Sequence, residues 1–203
     1  EVPATQATPV RQQVDLPLTP DLPGGRYWLQ VRVDGGDPVT VGALTLVQRS
    51  AAGVSSGVEI PAPLALRLGE SVELLGYDLP RTAVAPGEVL ELTLYWQATE
   101  VVEDRYKVFV HLLGETYNAR TENFIWGQQD NEPVGGQAPT TVWTPGEVVE
   151  DRYQIALAPD APPGRYVLEI GMYGLVGGER LPVLDNDGEP QGDAVVLAEI
   201  EVR

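Results

Sequence analysis

Cysteine is absent from the 203 residues. The chain therefore has no disulfide framework, no thiolate nucleophile and no thiolate metal ligand. Histidine occurs once, at His111. A multi-histidine metal site is impossible, and a Ser-His-Asp arrangement would have to use that one residue. Lysine also occurs once, at Lys107, among 13 basic residues. No apolar run approaches the ~20 residues that span a bilayer, no stretch keeps a helical period between caps, and no GxSxG, HExxH or P-loop motif is present. The first residue is Glu1 and no signal peptide is visible, so a processed product or an excised piece is expected.

Positive charge is scarce in general. The formal net charge is -17 and the sequence pI is about 4.2. Such a surface repels phosphate backbones and anionic lipid, which argues against nucleic-acid partners and direct membrane insertion. Hydrophobic residues still make up 43%, enough for a real core. Gly and Pro number 22 and 18 and are spread along the chain, the punctuation of many short strands.

Period-two alternation dominates what is there. In Glu88–Gln97, Leu90, Leu92, Leu94 and Trp96 share one face while Glu91, Thr93, Tyr95 and Gln97 share the other. Tyr106–Leu113 is apolar on both faces, as in a central strand. Further strands are expected over 165–173 and 194–202, and more weakly over 71–79, 118–126 and 148–157. Pro86-Gly87, Pro145-Gly146 and Pro163-Gly164 each supply the two central residues of a type II turn. The fold expected is an all-β antiparallel sandwich, immunoglobulin-like or jelly-roll-like.

An internal repeat organises the chain. Pro20, Asp21, Pro23, Gly25, Arg26, Tyr27 and Leu29 match Pro159, Asp160, Pro162, Gly164, Arg165, Tyr166 and Leu168. Further on, 39–46 (VTVGALTL) aligns with 195–202 (VVLAEIEV), after a much longer connection in the second copy. Residues 1–50 are expected to be the last three strands of one sandwich, 51–65 a linker, and 66–203 a complete sandwich. A second repetition is shorter. EVVEDRY occurs at 100–106 and at 147–153. It is expected to be a charged lead-in to a strand, its acids and arginine solvated or paired at a sheet edge.

The ordered series YKVFVHLLGE, WTPGE (143–147), PDAPPGRYVLEIGMYGLVGGERLPV (159–183) and AVVLAEIEVR, with LLGYDLP (74–80) and LTLYWQA (92–98), carries a family pattern. It resembles the C-terminal extracytoplasmic β-sandwich region of Chloroflexi-type membrane glycosyltransferase-like proteins. The resemblance covers about 70–203. It implies an extracytoplasmic module whose catalytic partner is a membrane-embedded part of the full-length chain, with no catalytic residue and no cofactor of its own.

Three places could carry chemistry. His111 lies in YKVFVHLL, where a hydrogen-bonded structural role competes with that of a hydrolase base. The segment 184–193 offers Asp185, Asp187 and Asp193 as oxygen ligands for calcium, in competition with ordinary Asn-Asp-Gly turn chemistry. The stretch 117–143 is expected to be a long polar loop and brings together Tyr117, Asn123, Trp126, Gln128, Asp130, Asn131 and Trp143. Flat aromatic faces with amides and acids suit a glycan. The competing expectation is that the tryptophans plug the sandwich. The sequence thus leads to a non-catalytic extracytoplasmic accessory module, with a carbohydrate-binding module as the alternative and a hydrolase third.

Overall fold

A computed structural model describes residues 25–32, 36–46, 58–185 and 187–203. The strands in chain order are β1 (Gly25–Val31), β2 (Val39–Leu46), β3 (Ala62–Leu68), β4 (Val72–Asp78), β5 (Ala83–Val84), β6 (Val89–Ala98), β7 (Tyr106–Asn118), β8 (Asn123–Asn131), β9 (Val148–Ala156), β10 (Gly164–Gly174), β11 (Val183–Leu184), β12 (Pro190–Gly192) and β13 (Val195–Val202). The chain divides into two units, 1–48 and 49–203. The first contains the β1–β2 pair; the N-terminal strand expected before it lies outside the described residues.

In the second unit one sheet runs β5-β13-β10-β7-β8 and the other β12-β11-β3-β4-β6-β9. All neighbours are antiparallel except β5 and β13. The inward faces of the two sheets make one core, in which Leu74, Leu92, Trp96 and Ile155 meet Val110, Leu112, Leu168 and Ile200. This is the sandwich that the alternation indicates: Leu90, Leu92, Leu94 and Trp96 are all buried.

The repeat survives as register. Gly25 pairs with Leu46 as Gly164 pairs with Val202, and each ladder shifts after the fifth rung, between Leu29 and Gln30 and between Leu168 and Glu169. A bulge at the same rung of both ladders reflects shared backbone design, since bulges re-aim every later side chain. The longer connection of the second copy holds β11 and β12, which cross to the other sheet and pair there with β3.

Three expectations need correction. Residues 62–65, assigned to the linker, open β3, because Pro63 and Leu66 pair with β4. Gly87 (φ 82°) and Gly146 (φ 84°) do take the left-handed turn position, closed by Glu88 N–H to Ala85 O and Glu147 N–H to Thr144 O. Gly164 does not: at φ 154° it is the extended first residue of β10. Lastly, 127–131 is not loop but the second half of β8, paired along β7.

Candidate functional site

The residues expected to bind a glycan do not form one platform. Trp126 and Trp143 are buried in the core, and each indole N–H already donates to a backbone carbonyl, Thr116 O at 2.9 Å and Ala138 O at 2.8 Å. They plug the sandwich, which corrects their proposed role as exposed ring faces. Asn123 closes the β7–β8 hairpin, its Oδ1 accepting from Thr121 Oγ1 and from Ile125 N–H. Asn131 accepts from Gln129 and donates to Glu132 O. Gln128 is exposed on β8. Only Tyr117 offers an aromatic face, in an edge-to-face pair with exposed Phe124 at 5.7 Å.

Asp130 belongs elsewhere. Register places Phe109 and His111 of β7, Asp130 and Gln128 of β8, and Glu169 and Gly171 of β10 on the outer face of one sheet. His111 Nε2 lies 3.3 Å from Asp130 Oδ1, and Nδ1 lies 3.4 Å from Glu169 Oε1. Both ring nitrogens thus face carboxylates on neighbouring strands, and the imidazole ties three strands together. Phe109 fills the gap over Gly171, where a Cβ would sit 2.4 Å from Phe109 Cζ. Arg180 covers the Phe109 ring at 4.2 Å and pairs with Asp193. Tyr173 O–H reaches Asp130 Oδ2 at 3.5 Å, and burial, with that carboxylate, holds its phenol above the usual range.

The calcium candidates are likewise dispersed. Asp185 Oδ1 accepts the backbone N–H groups of Asp187 and Glu189, and Oδ2 accepts from Gln191. The Glu189 amide leads the effects that lower its carboxyl below the usual range. Asp193 is turned to Arg180. Asp185 is spent on a turn, and no group of three acids or imidazoles that could hold a metal occurs among the described residues.

A strongly perturbed buried pair, Asp151 and Tyr153, was not singled out from the sequence. Asp151 of β9 is fully buried. Its register partner is Leu94, and on β9 it shares the inward parity of Val149, Tyr153 and Ile155. Tyr153 O–H donates to Oδ2 at 2.5 Å and Val134 N–H donates to Oδ1 at 2.8 Å. The Trp96 indole N–H helps to stabilise the same carboxylate but falls short of hydrogen-bond geometry, and is the one buried side-chain polar atom without a partner among the described residues. Burial outweighs these donors and pushes the Asp151 carboxyl from 3.8 up to about 6. Burial and the adjacent Asp151 raise the Tyr153 phenol well above its usual value. The expectation that the acids of EVVEDRY are solvated therefore fails at Asp151. The signal was available: strict alternation from Val149 to Ile155 puts Asp151 on the apolar face.

No protein-family model matches this chain, and no curated protein matches it either. Three solved structures show a weak similarity of shape. The DNA-bound alkylpurine DNA glycosylase AlkC of Pseudomonas fluorescens is 15% identical over 66% of this chain and 31% of its own, with a TM-score of 0.36; the present chain thus spans under a third of it. The CARDB domain of the PF1109 protein of Pyrococcus furiosus, in complex with di-metal ions, is 10% identical over 71% and 95%, with a TM-score of 0.37. A Niemann-Pick type C2 protein of the Japanese carpenter ant is 9% identical over 71% and 98%, with a TM-score of 0.33. Similarity at this level says nothing about what this chain binds.

Proposed function

We propose that this chain is a non-catalytic, extracytoplasmic accessory module of a larger envelope or membrane protein, and that its partner is the membrane-embedded part of that same full-length chain. The observation that carries this reading is the repeated hairpin, β1–β2 and β10–β13, with one register and one bulge position. Repetition of a structural unit lets a chain be extended module by module, as expected of an accessory segment in a larger protein. Two features support it: the sequence resemblance over 70–203, and the structural use of the polar groups that could have done chemistry. His111 is engaged on both nitrogens, Asp185 closes a turn, and the indoles of Trp126 and Trp143 are bonded to backbone. The test is the reading frame around this segment. Membrane-spanning helices upstream of Glu1, and protease accessibility of the module from outside intact cells, are expected. A frame that starts immediately before Glu1 in a protein recovered from cytoplasm overturns the proposal.

A glycan-recognition role is a second reading, favoured by the exposed Tyr117–Phe124 pair at the β7–β8 tip. It moves the binding surface off the buried tryptophans. Soluble glycans should then shift the Tyr117 ring resonances, and Tyr117→Ala should abolish the response; a blank glycan array sinks it.

A further inference from the structure

The chain leaves β8 through three consecutive left-handed residues: Val134 (φ 56°, ψ 41°), Gly135 (φ 60°) and Gly136 (φ 81°). Glycine adopts this region freely, and a Cβ on either glycine would meet nothing within 4 Å, so the bend is open to solvent on that side. Val134 is different. A β-branched residue at positive φ is strained and persists only where its surroundings hold it. Here the holding is asymmetric. The far end of the connection is anchored by Thr140, whose O–H donates to Asp104 O at 2.6 Å and whose Oγ1 accepts from Tyr106 N–H, and by Trp143 Nε1 to Ala138 O. The near end is fixed to β9 by Val134 N–H on Asp151, with Pro133 buried and the Val134 side chain packed against the core.

We propose that Pro133–Ala138 is a proton-controlled strap: a neutral Asp151 latches its strained turn onto β9, and the strap lifts when that carboxyl is ionised. Every element around the carboxyl bears on this. β9 supplies the Tyr153 hydroxyl and β6 the neutral Trp96 indole. β8 supplies Asp130, whose charge reaches Tyr153 and whose carboxylate faces His111. Glu132, just before the strap, is paired with Arg105. No cation contributes to the field at Asp151. A closed strap therefore confines the ionised form without a counter-charge. Burial holds the closed carboxyl at about 6, against 3.8 in water. Between those values the closed state binds more protons than the open one, so closure weakens as pH rises through that window.

Amide exchange of the intact chain, followed by NMR from pH 4 to 7, tests this. The amide of Val134, which bonds to Asp151, reports on the strap, those of Gln137 and Ala138, bonded to Val134 O and Pro133 O, report on the turn inside it, and Ile170 of β10 reports on opening of the whole sandwich. Corrected for intrinsic exchange, strap protection should fall by up to about a hundredfold, the ratio set by two units of proton affinity. It should stay below that of Ile170 and be insensitive to low urea, the mark of local opening. Asp151→Asn should flatten the profile. Val134→Gly, which relieves the turn and leaves the carboxyl in place, should raise protection at every pH and keep the slope. A flat wild-type profile, strap exchange that follows urea as Ile170 does, or a slope that persists in Asp151→Asn overturns the proposal. If Asp151→Asn does not fold, the wild-type urea series and Val134→Gly decide it.

Discussion

Two copies of one heptapeptide, 100–106 and 147–153, end in opposite environments. In the first, Glu100, Glu103, Asp104 and Arg105 are exposed, and only Tyr106 enters a strand. In the second, the chain is already in β9 from Val148, and Asp151 and Tyr153 are buried. The valines agree: Val102 and Val149 are both buried. The arginines do not. Arg105 forks onto Glu132 at 2.7 and 2.6 Å, whereas Arg152 turns back to Glu150 of its own strand. Identical sequence thus does not set burial: Asp104, two residues after buried Val102, is exposed, whereas Asp151, two residues after buried Val149, is buried. The difference lies in whether a neighbouring strand is present to pair. β6 pairs with β9 along its length, while the first copy joins no ladder until β7 begins.

The sharpest way to break this comparison is to remove the acid from each copy. At pH 5, Asp151→Ala leaves the Val134 N–H and the Tyr153 O–H without an acceptor and should cost about 3 kcal/mol or more. Asp104→Ala should stay within about 0.5 kcal/mol. Equal denaturation midpoints for the two variants would mean the copies are not distinct. The next effect is pH dependence. An acid with a raised native value stabilises the fold fully below its unfolded value and loses that contribution as pH rises through the native one. For Asp151 the window runs from 3.8 to about 6, and the loss is on the order of 3 kcal/mol. The difference in unfolding free energy between wild type and Asp151→Asn should show it, and the difference from Asp104→Asn should not. Smaller again is Tyr153→Phe, which removes one donor from the buried carboxyl and should cost about 1–2 kcal/mol, while Tyr106→Phe should be near neutral. The smallest is Arg105→Ala, which should lower the thermal midpoint slightly by freeing Glu132; Arg152→Ala should leave it unchanged.

Much of the fold was legible because it rests on local rules. Alternation marked the buried face of β6. The matched residues from Pro20 to Leu29 and from Pro159 to Leu168 led to two hairpins with the same register. Two of three Pro-Gly pairs made the turns their backbone preferences require. Most of the failures share one cause: they depend on how strands pair, which alternation alone does not fix. The β7–β8 ladder shifts at Leu113 and again before Asn118, so the parity of Trp126 could not be counted from the hairpin tip. Asp130 looked like part of a polar loop until β7 placed His111 beside it. Asp151 broke the expectation for a different reason. Its parity was plain, but charge was allowed to outweigh alternation, and a buried acid held by neighbouring donors reverses that weighting.

The matched hairpins also mark a place where this chain accepts new sequence. In the first unit the ladder closes at Val31 and Val39 over residues 32–38; in the second it closes at the corresponding Ile170 and Val195 over residues 171–194. Everything added there, including two strands that reach the opposite sheet, leaves the rungs below unchanged. That junction is a natural graft point: a foreign loop spliced between Gly174 and Val195 would be displayed from a closed ladder, on a scaffold with no thiol to cross-link it.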